Sequence, residues 1–112
     1  MIKTSIILMF LVVGMFEILL GIPLLYEKVK TNWIYGFRIK KTLENEEIWY
    51  KANKYSGRDL IISGSVVVIF SLFIIIFKDN LDIGAVGLLG GCILLVSIII
   101  VLIRGLIYIK NL

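Results

Sequence analysis

Asn32, Gly36 and Arg38, followed by Thr42, Trp49, Asn53 and Gly57, are the residues of this chain whose types and spacing suit recognition. The planar guanidinium of Arg38 can grip a carboxylate or a lipid phosphate through two parallel hydrogen bonds. Gly36 permits a tight backbone approach beside it, and Trp33, Ile34, Tyr35 and Phe37 supply apolar and aromatic surface. Catalysis has no comparable footing. The chain has no His, a single cysteine at Cys92 and no glycine-rich phosphate loop, and Glu44, Glu46 and Glu47 read as a solvated helix start, not as acids paired around a pocket. No catalytic residue, metal ligand or cofactor is expected, and Cys92 has no partner for a disulfide.

Residues 27–59, which carry this pattern, lie between apolar runs of membrane length. The 112 residues are 60% hydrophobic and 18% charged, with a mean hydropathy of +1.03, too apolar for an ordinary soluble domain. Residues 60–77 give 18 consecutive uncharged positions and residues 83–103 give 21. At a rise of about 1.5 Å per residue these runs cover roughly 27 and 31 Å, close to a hydrocarbon core of about 30 Å. Residues 4–26 make a third run, interrupted by Glu17 and by Pro23 near its end. No small-x-small cleavage site follows this run, so a retained helix is expected in place of a cleaved leader. The predicted fold is all-α: a single membrane domain, residues 1–112, of three transmembrane helices over 4–26, 60–77 and 83–103.

Eight of the twelve basic residues fall in 27–59 and two more follow the third run. Three crossings put these ten on one side, which by the positive-inside rule is the cytoplasm, with the N-terminus outside. The expected location is a bacterial inner membrane. The same distribution explains the net charge of +4, so nucleic acid is not needed as a partner. The bilayer itself is the one certain partner of such a chain.

Glu17 is the only acidic or basic side chain well inside a run. Ionised in lipid it would cost several kcal/mol, roughly 2.5–3.5 on insertion scales, so it must be protonated, paired or turned into the bundle. It reads as a proton-linked or ligand-contacting acid, or as a neutral carboxyl hydrogen-bonded to a neighbouring helix; Ser63, Ser65 and Ser97 lie near its depth. The structural reading is favoured because no second buried charge completes a relay. Gly14, Glu17 and Gly21 share one helix face, and Gly84, Gly87 and Gly91 repeat the arrangement in the third run, while Gly64 and Ser71 stand seven apart in the second. Small residues let helices approach closely. A tight three-helix bundle is expected ahead of a dedicated homo-oligomer interface, and the five residues 78–82 make the last two helices antiparallel neighbours.

Within the polar stretch, Thr42 or Asn45 can cap a helix whose first turn holds Glu44, Glu46 and Glu47, and Ile48, Trp49, Ala52 and Tyr55 recur at helical spacing. This predicts a short amphipathic interfacial helix between the first two spans, ended by Gly57, with Trp49 as an interfacial anchor and Asn53 capping a turn or bonding to the 32–38 loop. Glu47 and Lys51 form a favourable pair four residues apart.

The combined pattern Asn32-x-x-x-Gly36-x-Arg38, Thr42, Glu47-x-Trp49-x-x-x-Asn53 and Gly57, leading into a membrane helix, resembles the SdpI/YhfL family of bacterial membrane proteins. The resemblance covers roughly residues 23–77; Thr31 and Ile39 stand where the family usually has proline and threonine. It implies a non-catalytic membrane protein conferring immunity or tolerance to a membrane-active toxin or peptide. Two alternatives stay open: a signalling protein that holds a cytoplasmic regulator at the membrane, and a subunit of a small proton-linked transporter using Glu17.

Overall fold

A computed structural model describes all 112 residues, with helices α1 (Ile2–Leu25), α2 (Lys40–Glu44), α3 (Glu46–Phe77) and α4 (Ile83–Lys110). Three of these, α1, α3 and α4, are long and apolar enough to cross a membrane. The molecule measures 50 × 23 × 19 Å, and its long axis is set by α3. Thirty-two helical residues extend about 48 Å, against a hydrocarbon core of about 30 Å, so α3 projects from the bilayer by several turns.

The projecting part is the stretch that sequence reasoning assigns to a separate interfacial helix ending at Gly57. A short helix does lie between the first two spans, but it is α2, and from Asn45 onward the chain is one rod. The Asn45 side chain accepts from the Ile48 amide at 3.1 Å and starts α3; Thr42 is not an N-cap but lies inside α2. Gly57 does not end the helix because its missing side chain is used for packing. A Cβ there would stand 2.8 Å from the Gly21 carbonyl oxygen and 2.8 Å from the Leu24 Cβ.

Helices α1 and α3 meet along an antiparallel seam in which Gly21 faces Gly57 and Gly14 faces Gly64. Both pairs are seven apart on their own helices, so the two contacts stack two turns apart on one face. A Cβ on Gly14 would lie 2.9 Å from the Gly64 carbonyl, and one on Gly64 would collide with the Gly14 carbonyl. Backbone approach of this kind is how apolar helices associate when lipid removes the hydrophobic drive. The buried residues of α1, Ile7, Gly14, Glu17, Gly21 and Leu24, trace this single stripe.

At the end of the bundle away from the polar loop, Ile7, Ile74 and Val86 form a small core. There Lys78–Asn80 make a 3₁₀ turn, and Asp82 caps α4 by accepting from the Ala85 amide at 2.6 Å. The Lys3 ammonium donates to the carbonyls of Lys78 and Leu81 at 3.0 Å each, tying α1 to that turn. α4 packs through Gly90, against the Phe10 ring, and Gly105, against the Phe37 ring. Gly87 and Gly91 were expected to serve that purpose; instead nothing lies within 4 Å of a Cβ at either, and Gly84 is exposed. Adding a side chain to the seam should therefore be costly where the outward glycines tolerate it. Gly64→Val is expected to destabilise by about 1–3 kcal/mol and Gly87→Val by no more than about 0.5 kcal/mol, read as thermal unfolding in detergent micelles; equal tolerance would contradict the seam.

Candidate functional site: a braced loop above an apolar cleft

α1 ends in a turn made without glycine. Glu27 takes φ 58°, its amide donates to the Leu24 carbonyl at 3.2 Å and the Lys28 amide donates to the Pro23 carbonyl at 2.9 Å. This pair of bonds closes a Schellman turn and sends the chain back toward the bundle. The returning segment descends beside α1, because the Tyr35 hydroxyl donates to the carbonyl of Leu20. Leu20 is five residues inside the helix end, about 7–8 Å along the axis. Burial there pushes the Tyr35 phenol above its ordinary value. Phe37 packs its ring on Gly105 of α4. Residues 33–37 thus form a non-helical wedge between the ends of α1 and α4, at the edge of the apolar layer.

Irregular backbone at that depth must find partners for its N–H and C=O groups inside the protein. Side chains of the sequence pattern supply them. Asn32 accepts from the amides of Ile34 at 2.9 Å and Tyr35 at 2.7 Å, and donates to the Lys30 carbonyl at 2.7 Å. Asn53, buried on α3, accepts from the Phe37 amide at 2.5 Å and is fixed by donating to the Trp49 carbonyl at 2.9 Å. The Thr42 hydroxyl accepts from the Ile39 amide at 3.0 Å and lies 2.8 Å from the Phe37 carbonyl. The Trp49 indole N–H donates to the Val29 carbonyl at 2.9 Å. Gly36 takes φ +119°, and a Cβ there would stand 2.8 Å from the Asn53 Oδ1 and 2.9 Å from the Trp49 ring. Only glycine suits that position.

The sequence-predicted residues therefore divide. Asn32, Gly36, Thr42, Trp49 and Asn53 converge on one hydrogen-bonded knot, and Gly57 continues its α3 face into the glycine seam. Trp49 is no interfacial anchor: its side chain is fully buried and forms the pillar on which the loop rests. Trp33, 78% exposed with Ile34 beside it at the loop tip, is the tryptophan that faces outward. Glu47 stands apart on the outer face of α3, paired with Lys51 at 2.9 Å.

Arg38 meets no carboxylate. Its Nη1 donates to the Trp33 carbonyl and its Nε to the Gly36 carbonyl at 3.3 Å, which uses the cation to brace the loop while Nη2 makes no hydrogen bond. It borders an open cleft of about 540 Å³ between α1 and α4, walled by Leu20, Leu24, Leu102 and Leu106. Ser56 also borders this cleft, with its hydroxyl buried between α3 and α4 and without a hydrogen-bond partner. Glu17 is buried in the α1–α3 seam, where its Oε2 accepts from the Ser63 hydroxyl at 2.8 Å and its Oε1 has no partner. Of the three serines near its depth, Ser63 is the one it meets.

One polar cluster escaped the sequence reading. Asp59, 6% exposed, accepts from Arg104 Nε at 2.7 Å and has Arg58 at 3.7 Å. Tyr55 stacks on Tyr108 with ring centroids 4.2 Å apart. The signal was present, since Asp59 is an acid at the very start of an apolar run and Arg104 is the first charge after the next one.

Fold and site together define a polytopic helical membrane protein with a side-chain-braced loop wedged into one end of its bundle. The chain belongs to the SdpI/YfhL protein family, whose model matches residues 28–108; the second name is YfhL, which corrects the spelling YhfL given with the resemblance. Over 58 residues it is 34% identical to a protein of Bacillus subtilis (strain 168) named "Uncharacterized protein YfhL", a match covering 51% of this chain and 53% of that protein. The chain thus spans about half the length of the curated relative it matches. No solved structure matches it.

The knot makes a direct prediction. Asn53→Leu keeps the branching of the side chain but leaves the half-buried Phe37 amide without its acceptor, a loss of about 1–3 kcal/mol. Trypsin should then cut after Arg38, Lys40 or Lys41 several-fold faster in micelles, while Glu47→Gln leaves the rate unchanged. Indistinguishable digestion of the two variants would remove Asn53 from the brace.

Proposed function

We propose that this protein acts without catalysis in tolerance to a membrane-active toxin or peptide, which it holds in the α1–α4 cleft at the Arg38 end of the bundle. The observation that carries the reading is the placement of an acid-free guanidinium at the mouth of an apolar cleft. An amphipathic peptide offers the matching chemistry: an apolar side for the leucine walls and a carboxylate for the free edge of Arg38. Holding the peptide against the bundle removes it from association with further copies of itself, and no covalent step is required. Membership of the family supports the membrane setting. The concentration of basic residues on the loop side supports a bacterial cytoplasmic membrane, with the loop and C-terminus inside the cell and the N-terminus outside.

Cells lacking the gene should become more sensitive to at least one member of a broad panel of antimicrobial peptides, and re-expression should restore tolerance. Unchanged sensitivity across the panel would remove the immunity reading. Within a responsive assay, Arg38→Lys keeps the charge but loses the planar fork, so it should impair tolerance several-fold more than Lys40→Ala at matched membrane abundance. Equal tolerance of both substitutions would reduce Arg38 to a contributor to topology.

A further inference from the structure

A second cleft, of about 420 Å³, opens between α3 and α4, on the other side of α4 from the Arg38 loop. It begins at Arg58, Asp59 and Arg104 and runs past Ser63 and Val66 on α3 and down α4 to Ile93. Arg58 and Asp59 immediately precede the uncharged run 60–77 and Arg104 immediately follows the run 83–103, so the mouth lies where hydrocarbon gives way to headgroups. From Arg104 to Ile93 the cleft covers eleven helical steps, about 16 Å, which matches the roughly 15 Å acyl layer of one leaflet.

The mouth is built with a surplus of positive charge. Two guanidiniums share one buried carboxylate, which leaves a single net positive charge. Both arginine side chains remain about half exposed, at 54% and 47%, and Arg104 spends its Nε on Asp59. Their positions are fixed from the other side, because both lie against the Tyr55 ring, at 5.1 and 5.4 Å from its centroid, and that ring is stacked on Tyr108. The result is a preorganised pair of forked donors above an apolar channel of one leaflet's depth.

We propose that this cleft is a binding site for one anionic phospholipid of the membrane, its phosphodiester held by Arg58 and Arg104 and an acyl chain laid along Val66 and Ile93. The phosphodiester of an anionic lipid carries the one negative charge that the mouth lacks, with no ammonium of its own to cancel it as in phosphatidylcholine, and arginine forks match its oxygens. The cleft is separate from the one assigned to the peptide, so either assignment can fail alone.

The test is native mass spectrometry of the purified protein released from micelles containing equal phosphatidylglycerol and phosphatidylcholine. Phosphatidylglycerol should be retained about fivefold over phosphatidylcholine, the preference expected from one favourable cation at the headgroup level. Arg58→Gln leaves the Asp59–Arg104 pair intact and should abolish the preference, whereas Lys40→Gln should not. Val66→Trp, which fills the channel, should remove the retained lipid of either kind, and glycerophosphoglycerol, the same phosphodiester without acyl chains, should not displace it. Equal retention of the two lipids, an unchanged preference in Arg58→Gln, lipid retention unaffected by Val66→Trp, or displacement by glycerophosphoglycerol would overturn the assignment.

Discussion

A peptide bond that leaves the helix inside an apolar layer carries its polar groups with it, and lipid offers them nothing. The wedge at residues 33–37 meets this constraint with side chains drawn from three places: Asn32 and Arg38 flanking it, Thr42 on α2, and Asn53 on α3, while Trp49 of α3 pairs the Val29 carbonyl in the segment leading into it. Each pairs with backbone, so the pattern that looks like a recognition motif is first a device for keeping non-helical chain at that depth. The brace leaves unused the free edge of Arg38 and the cleft beneath it, and the proposed function assigns recognition to these.

The brace needs a stiff base, and α3 provides it by running unbroken from Glu46 to Phe77. Its outer turns hold Trp49 and Asn53 under the loop, while its inner turns bring Gly57 and Gly64 against Gly21 and Gly14. A separate interfacial helix would have placed a hinge between those two jobs. Continuity instead makes the spacing of the α1–α3 seam set the height of the loop, and Lys41 secures the far side by donating to the Ile109 carbonyl of α4 at 2.9 Å. The Asp59–Arg104 pair links α3 to α4 at the headgroup level, so α4 is positioned by polar contacts near the loop and by Val86 and Gly90 at the other end.

Much of this was legible in the sequence because membrane crossing is dictated by length and apolarity alone. The three runs and the Gly14–Glu17–Gly21 face could be read from local order, and a hydrogen bond between Glu17 and a neighbouring helix followed from the cost of an unpaired acid. The rest depended on contacts between residues distant in the chain. Gly57 is ambiguous by itself: glycine ends helices and also lets helices touch, and only the facing Gly21 decides. Trp49 has the right chemistry for an interface until the loop covers it. The outward Gly87 and Gly91 and the inward Gly90 and Gly105 cannot be told apart without knowing which way α4 is rotated, and Arg104 looks topogenic until Asp59, 45 positions earlier, is found against it.

Residue-resolved amide hydrogen exchange in lipid nanodiscs tests the central claim, that side chains pair the backbone of the non-helical wedge. The amides of Ile34, Tyr35, Phe37 and Ile39 should exchange as slowly as those in the outer turns of α1, although none of them belongs to a helix. Exchange at the rate of an open coil for these four amides would contradict the account.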